Sequence, residues 1–255
     1  DLPFMPCDEK NIISSTGALD LQKLPKKIAI VGGGYIGVEL GCAFAKLGSK
    51  VSIIEGMDSI LGIFDRELRR PLEIWLKKNG VDVHTKSLAL GAEVKGKGAA
   101  KKVDLTFQKD GEEITHRVDK VLVTVGRKSN IDNCGIENTG VRMDSSGRFI
   151  RIDRQCRTNV PGVYAIGDVS GEPMLAHRAS AQGEMVAEII AGHIRDFDKV
   201  AIPAIVFTEP EIVSVGLLPD EAKNLGEEII IGKFPLAANG RALTLEAEKT
   251  GGFIR

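Results

Sequence analysis

A chain of 255 residues with 43% hydrophobic side chains carries enough apolar material for one large domain or two to three modest ones. Lys and Arg (34) balance Asp and Glu (35), so no net field points to nucleic acid or an anionic membrane as partner. No apolar run approaches the roughly 20 residues of a membrane helix. Cys7, Cys42, Cys134 and Cys156 stand far apart without CxxC spacing, which gives no metal-site signature and suits free thiols in a reducing, cytosolic-type compartment.

The start, Asp1-Leu2-Pro3-Phe4-Met5, has neither an initiator Met nor a charged leader, and is expected to be internal to a longer chain. Residues 1–26, broken by Pro3, Pro6, Gly17 and Pro25, read as a linker. Ile28–Val31 predicts a strand buried on both faces, and Gly32–Gly34 a tight turn. Apolar residues at helical spacing then predict a helix over Tyr35–Leu47, and Val51–Ile54 a second strand, together a βαβ unit. A helix over about Asp65–Lys78 follows, N-capped by Asp65, with Pro71 predicting a kink or a late start. Val81–His84 reads as a strand. Val103–Phe107 and Ile114–Val118, joined at Asp110-Gly111, predict an antiparallel hairpin, and Val121–Val125 another buried strand. Beyond residue 126 the chain turns polar. It has short strands expected at Phe149–Ile152 and Val163–Ile166 and a long helix over Leu175–Ile194. After Ile202-Pro203, strands are expected at Ile205–Phe207, Ile212–Val215 and Ile229–Lys233, with a short helix near Asp220–Leu225. The final Gly251–Arg255 reads as mid-strand.

Three motifs carry chemistry. Gly32-Gly33-Gly34-Tyr35-Ile36-Gly37 is a GxGxxG set between a buried strand and a helix, and Glu55 ends the next strand 18 residues on. That combination is a dinucleotide fingerprint. Gly32 permits the turn, Gly34 lets the backbone approach a pyrophosphate, and Gly37 lets the helix pack close. The helix-start N–H groups face the phosphates. Glu55 is expected to accept from the adenosine ribose hydroxyls and to repel a 2′-phosphate, favouring NAD over NADP. Glu39 reads equally as a carboxylate held by the helix dipole in the first turn, and Tyr35 as a packing aromatic. In the second motif, Val121–Arg127, Gly126 and Arg127 stand at the sheet's carboxyl edge, where a surface Arg is as good a reading as a ligand contact. The third is Thr158–Asp168. Asp168 is either a hydroxyl acceptor for a polyol or ribityl chain or a helix N-cap, and Met174-Leu175-Ala176-His177 are placed to edge a ring system. His84, His116 and His193 read as surface residues.

In this order the motifs resemble the pyridine nucleotide-disulfide oxidoreductase family. Glu39, Gly126-Arg127, the TNVPGVYAIGD run and PMLAH resemble its dihydrolipoamide dehydrogenase branch in particular. Phe207–Glu211, Val215-Gly216 and Phe234–Arg241 are similar to the start of that family's dimerisation domain. The resemblance implies an α/β chain with four segments. They are a linker (1–26), a Rossmann-like NAD-binding domain with parallel sheet and antiparallel hairpin (27–126), the C-terminal part of an FAD domain (127–200), and the truncated start of an α+β dimerisation domain (201–255). It implies NAD contacts at Gly32, Gly33, Gly34, Tyr35, Ile36, Gly37, Val38, Glu39 and Glu55, with Gly126 and Arg127 beside the nicotinamide. It implies that Asp168 holds the FAD ribityl chain and that Met174, Leu175, Ala176 and His177 line the isoalloxazine. In some relatives a tyrosine at the Tyr35 position covers the flavin and swings aside for NADH.

The implied full-length protein is a homodimer that reoxidises free or protein-bound dihydrolipoamide with NAD, through FAD and a redox disulfide. It would serve the acyltransferase component of a 2-oxoacid dehydrogenase complex, in the cytoplasm or, in a eukaryote, the mitochondrial matrix. Several family features lie outside these 255 residues: the paired redox cysteines, the FAD fingerprint and the C-terminal His–Glu base. The chain alone is therefore expected to be inactive. Ser129, Ser87 and Leu218-Pro219 also depart from the usual pattern. A glutathione- or mercuric-reductase-type relative and a non-catalytic NAD-binding module are the alternatives.

Overall fold

The computed structural model describes residues 1–198, 201–246 and 251–255. It divides into two compact units, residues 1–126 with 204–255, and residues 127–203. In the first unit β1 (Ile12–Ile13), α1 (Ser15–Leu19), β2 (Lys27–Val31), α2 (Tyr35–Lys46), β3 (Lys50–Ile54), α3 (Arg66–Lys78) and β4 (Asp82–His84) precede four further strands. These are β5 (Ser87–Lys95), β6 (Lys102–Lys109), β7 (Glu112–Val118) and β8 (Lys120–Val123). The spatial order β1-β8-β2-β3-β4 makes a five-stranded sheet with every pair parallel.

The uninterrupted apolar run of β2 follows from covering both faces. Ile28 and Ile30 pack with Ile53, Leu122 and the helix residues Val38, Phe44, Leu72 and Leu76. Ala29 and Val31 face the other way, against Val103, Leu105 and Phe107 of an antiparallel β5-β6-β7 layer. The β6–β7 bend is Asp110-Gly111, both at positive φ (52° and 87°), as an Asp-Gly hairpin requires. β5 escaped the sequence reading because its alternation is broken by a register shift between Ala89 and Gly91.

The linker expectation for residues 1–26 is corrected. Asp8 accepts the main-chain N–H groups of Lys10, Asn11 and Ile12 at 2.9, 2.6 and 3.0 Å, turning the chain so that Ile12–Ile13 becomes the sheet's edge strand beside β8. Two residues are too few to carry a periodic signal. α3 starts at Arg66 with Asp65 accepting from Glu67 N–H at 2.7 Å, so the late start is also corrected: the helix runs through Pro71.

In the second unit, α4 (Ala176–Ile190) stops short of the expected Ile194, with Gly192 at φ 94° just beyond it. Its inward face supplies Met185, Val186 and Ile189 to a small core around Cys156. The strands expected at 149–152 and 163–166 are isolated bridges, Met143 with Ile150 and Arg157 with Tyr164, because neither run finds a laddered neighbour.

Returning to the first unit, β9 (Ala204–Val206) and β10 (Ile212–Ser214) pair antiparallel and bury Val206 and Ile212 in the helix-side core. Lys46 pairs with Glu209 across this contact. α5 (Pro219–Asn224), β11 (Phe234–Pro235), α6 (Gly240–Thr244) and β12 (Phe253–Ile254) follow. The strand expected at Ile229–Lys233 is absent, and Ile230 is 99% exposed. The boundary expected after residue 200 falls at residues 199–200, outside the described residues. Among the described residues no helix is long and apolar enough to cross a membrane.

Candidate dinucleotide and flavin sites

β2 ends at the carboxyl edge of the parallel sheet, and Gly32 turns the chain there at φ 108°. A Cβ on Gly32 would stand 2.5 Å from the Thr124 carbonyl oxygen, so no other residue fits. Gly32 N–H donates to Ile54 O at 2.9 Å. From the end of β8, the Thr124 hydroxyl donates toward the carbonyls of Val31 and Gly32 at 3.2 and 3.1 Å, and Thr124 N–H to Val31 at 2.8 Å. Sequence reasoning missed Thr124; a lone hydroxyl closing an apolar strand was the available signal. Gly37 lies against this turn, where a Cβ would come within 2.1 Å of Gly32 O. The helix therefore sits on the sheet at a distance only glycine allows.

Gly34 is the N-cap of α2, exposed, with φ −72° and nothing within 4 Å of a built Cβ. The leading N–H groups of a helix have no i−4 carbonyl, and the macrodipole adds partial positive charge there. An anion therefore has both an open approach and donors. Glu55 follows β3 at the same edge. Its carboxylate accepts Gly33 N–H at 2.5 Å and Met57 N–H at 2.7 Å, which fixes its direction while leaving lone pairs for hydroxyl donors.

The remaining fingerprint residues divide. Tyr35 and Ile36 are half-buried, and Tyr35 packs on the helix-side core. Val38 is fully buried there, and its N–H is taken by Gly34 O at 3.0 Å. Glu39 belongs to the second turn of α2 rather than the first, and accepts Phe207 N–H at 2.9 Å, a tertiary contact rather than a dipole effect. Gly126 sits at φ 151° beyond β8.

In the second unit, Arg127 meets Asp168 at 3.3 Å, and both side chains stay partly open. Asp168 lies inside a 3₁₀ turn, Gly167–Ser170, and caps no helix: Leu175 is the N-cap of α4. Its carboxylate is thus engaged by the Arg127 side chain and by no helix start. Met174 is buried, Leu175 half-buried, and Ala176 and His177 exposed. His177 Nε2 lies 2.9 Å from Pro203 O; since a carbonyl only accepts, that nitrogen carries the proton. Two further polar groups escaped notice, Arg178 and Gln182, 1% and 0% exposed on the inward face of α4 with unpartnered Nε and Nε2 atoms. Their signal was polarity at positions in phase with Met185 and Ile189.

The surface reading of His84 and His116 is corrected: both rings pack with Phe107, at centroid separations of 4.9–5.2 Å, and burial followed by His116 lowers the His84 pKa. The Ser87 and Ser129 hydroxyls are buried and bonded to Thr85 and Arg148 carbonyls. None of the four cysteines forms a disulfide, and burial pushes the Cys42 thiol up to about 11.

The family model described as pyridine nucleotide-disulphide oxidoreductase matches residues 5–183, and its dimerisation-domain model matches residues 202–255. A dihydrolipoyl dehydrogenase of Geobacillus stearothermophilus is 48% identical over 96% of this chain and 50% of its own length. One from Bacillus subtilis is 46% identical over 100% and 53%. The solved structure of the HOCl-induced flavoprotein disulfide reductase RclA from Escherichia coli aligns with a TM-score of 0.82 at 27% identity, covering 99% of this chain and 57% of that one. The chain spans about half the length of the curated relatives it matches. With that match across both segments, on a sheet carrying the glycine turn, the chain belongs to the pyridine nucleotide-disulphide oxidoreductase family.

Proposed function

We propose that this chain is the nicotinamide-nucleotide-binding part, with portions of a flavin site and a dimerisation element, of a protein that reoxidises dihydrolipoamide with NAD. The observation that carries the reading is the open N-terminus of α2 at Gly34 beside an oriented Glu55 carboxylate. Residues 27–126 would hold NAD. There the α2 amides face the pyrophosphate and Glu55 takes the adenosine ribose hydroxyls, repelling a 2′-phosphate. Gly126 leaves room at the strand end for the nicotinamide side.

Residues 127–200 would supply part of the FAD site. Its fit rests on Asp168, a half-open carboxylate in a turn with no helix to cap, and on the buried polar atoms of Arg178 and Gln182 behind it. Asp168 would accept from the ribityl hydroxyls, and Met174 to His177 would exclude water from one edge of the ring. FAD, when bound, supplies the two-electron chemistry. The exposed Phe207, Val213, Leu217, Ile231 and Phe234 suit residues 201–255 to a homodimer contact. By likeness to the dihydrolipoyl dehydrogenases, the full protein would act in the cytoplasm or mitochondrial matrix on lipoamide carried by a 2-oxoacid dehydrogenase acyltransferase. No two of Cys7, Cys42, Cys134 and Cys156 stand at the four-residue spacing of the family's redox pair, so these residues alone would be inactive.

Calorimetric titration tests the cofactor assignment. Wild type should bind NAD at least tenfold tighter than NADP, and Glu55→Arg should narrow or reverse that ratio. A wild-type preference for NADP would remove the reading.

A further inference from the structure

The turn that carries Asp168 is held from beneath by two side chains of α4. Arg178 Nη1 donates to the carbonyls of Gly171, Pro173 and Gly167 at 2.6, 3.2 and 3.4 Å, and its Nη2 to Ser170 Oγ at 3.2 Å. Ser170 Oγ in turn donates to Gly167 O at 2.8 Å, and Gln182 Oε1 accepts Gly167 N–H at 2.8 Å. Both polar groups of Gly167, the residue just before Asp168, are therefore fixed from the helix side. Gly167 also sits at φ 71°, with its built Cβ 3.0 Å from Ala179 Cβ, so the turn rests directly on α4.

The hydrogen-bond partners of Arg178 are all neutral, and desolvation outweighs the nearby charges of Cys156, Asp168 and Glu172 and lowers its pKa. A guanidinium so buried costs desolvation that an apolar side chain would avoid, so packing alone does not explain it. Its geometry does: the planar fork meets four acceptors spread over Gly167–Pro173, which no point donor spans. We propose that Arg178 and Gln182 are positioning residues for the flavin. By pinning the Gly167–Pro173 turn to α4, they set the height and direction of the Asp168 carboxylate toward the ribityl hydroxyls. The inference rests on the flavin reading of Asp168 given above.

The test is a double-mutant cycle in the full-length protein, with FAD affinity read by reconstituting the apoprotein and following flavin fluorescence. Arg178→Met should weaken FAD roughly 10- to 100-fold while NAD affinity stays within about twofold. Arg178→Lys should fall between. In an Asp168→Ala background, either Arg178 change should cost no more than about threefold further, because its effect runs through that carboxylate. Should Arg178→Met fail to fold, Arg178→Lys and Gln182→Met in the same cycle give the coupling. Losses that add fully to Asp168→Ala, or Arg178 variants with wild-type FAD affinity beside a weakened Asp168→Ala, overturn this inference alone. Asp168→Ala with wild-type FAD affinity overturns the flavin reading as well.

Discussion

Two added methyl groups, three residues apart on one helix, should have separable consequences. At Gly37 a Cβ would stand 2.1 Å from Gly32 O, 2.6 Å from Thr124 Oγ1 and 3.2 Å from Ile30 Cγ2. Two of these neighbours belong to the turn and the strand end that hold the loop, so relief requires α2 to retreat by about 1 Å. Overpacking of that kind costs about 1–3 kcal/mol, offset by up to about 1 kcal/mol from exchanging glycine for alanine in a helix. Gly37→Ala should therefore lose roughly 1–2 kcal/mol of stability. It should also weaken NAD by about tenfold or more, because the leading amides move with the helix.

Gly34 differs. Its backbone conformation suits alanine and its Cβ would meet nothing, so Gly34→Ala should change stability by less than about 1 kcal/mol, the cost of a poorer N-cap. On the proposed NAD reading the methyl would stand in the path of the diphosphate, and NAD should weaken by about tenfold. Urea denaturation and calorimetric titration on the same preparations read both quantities. Wild-type NAD affinity in Gly34→Ala, or undiminished stability in Gly37→Ala, would refute the assignment of roles along this helix.

Two further outcomes concern groups away from the cofactors. Desolvation works to raise the Asp8 pKa, but the N–H groups of Asn11, Lys10 and Ile12 outweigh it and lower the value from 3.8 to about 2. Its stabilising contribution is thus complete above about pH 4 and lost as pH falls toward 2. The denaturation-midpoint difference between wild type and Asp8→Asn should shrink over that window, and a constant difference from pH 6 to pH 2 would contradict it. With its thiol raised to about 11 by burial, Cys42 is about one-thousandth thiolate at pH 8, whereas Cys134 is exposed. Timed alkylation read by mass spectrometry should label Cys134 in the native protein and Cys42 only after unfolding; equal rates would count against the burial.

The βαβ unit was legible because its strands are buried on both faces and its helix repeats apolar residues in phase, with glycine at Gly32 and Gly37 where the turn and the close approach demand it. Asp110-Gly111 marked its hairpin for a similar local reason. What stayed hidden depends on distant partners. Ile12–Ile13 becomes a strand only because β8 offers an edge, and the runs at 149–152 and 163–166 remain single bridges for want of one. At the candidate sites, the glycine turn at Gly32, the close approach at Gly37 and the sheet-edge position of Glu55 could be read from spacing. Thr124, Arg178 and Gln182 left only faint signals, a hydroxyl closing an apolar strand and polar residues in phase with a buried helix face, because each acts on the backbone of another segment. Glu39 was read as a local dipole effect, while its partner is 168 positions away in the chain.

The placement of β2 between β3 and β8 also bears on how the protein is made. β3 is available as soon as α2 has crossed over, but Ile28 waits for Lys120 to complete its other flank. Until β8 leaves the ribosome, the most apolar strand of the sheet exposes an unpaired backbone edge, a template for intermolecular pairing. The β5–β7 layer, synthesised just before β8, would shield only one face of that strand, so the interval is a window for aggregation that faster elongation would shorten and a holding chaperone would cover.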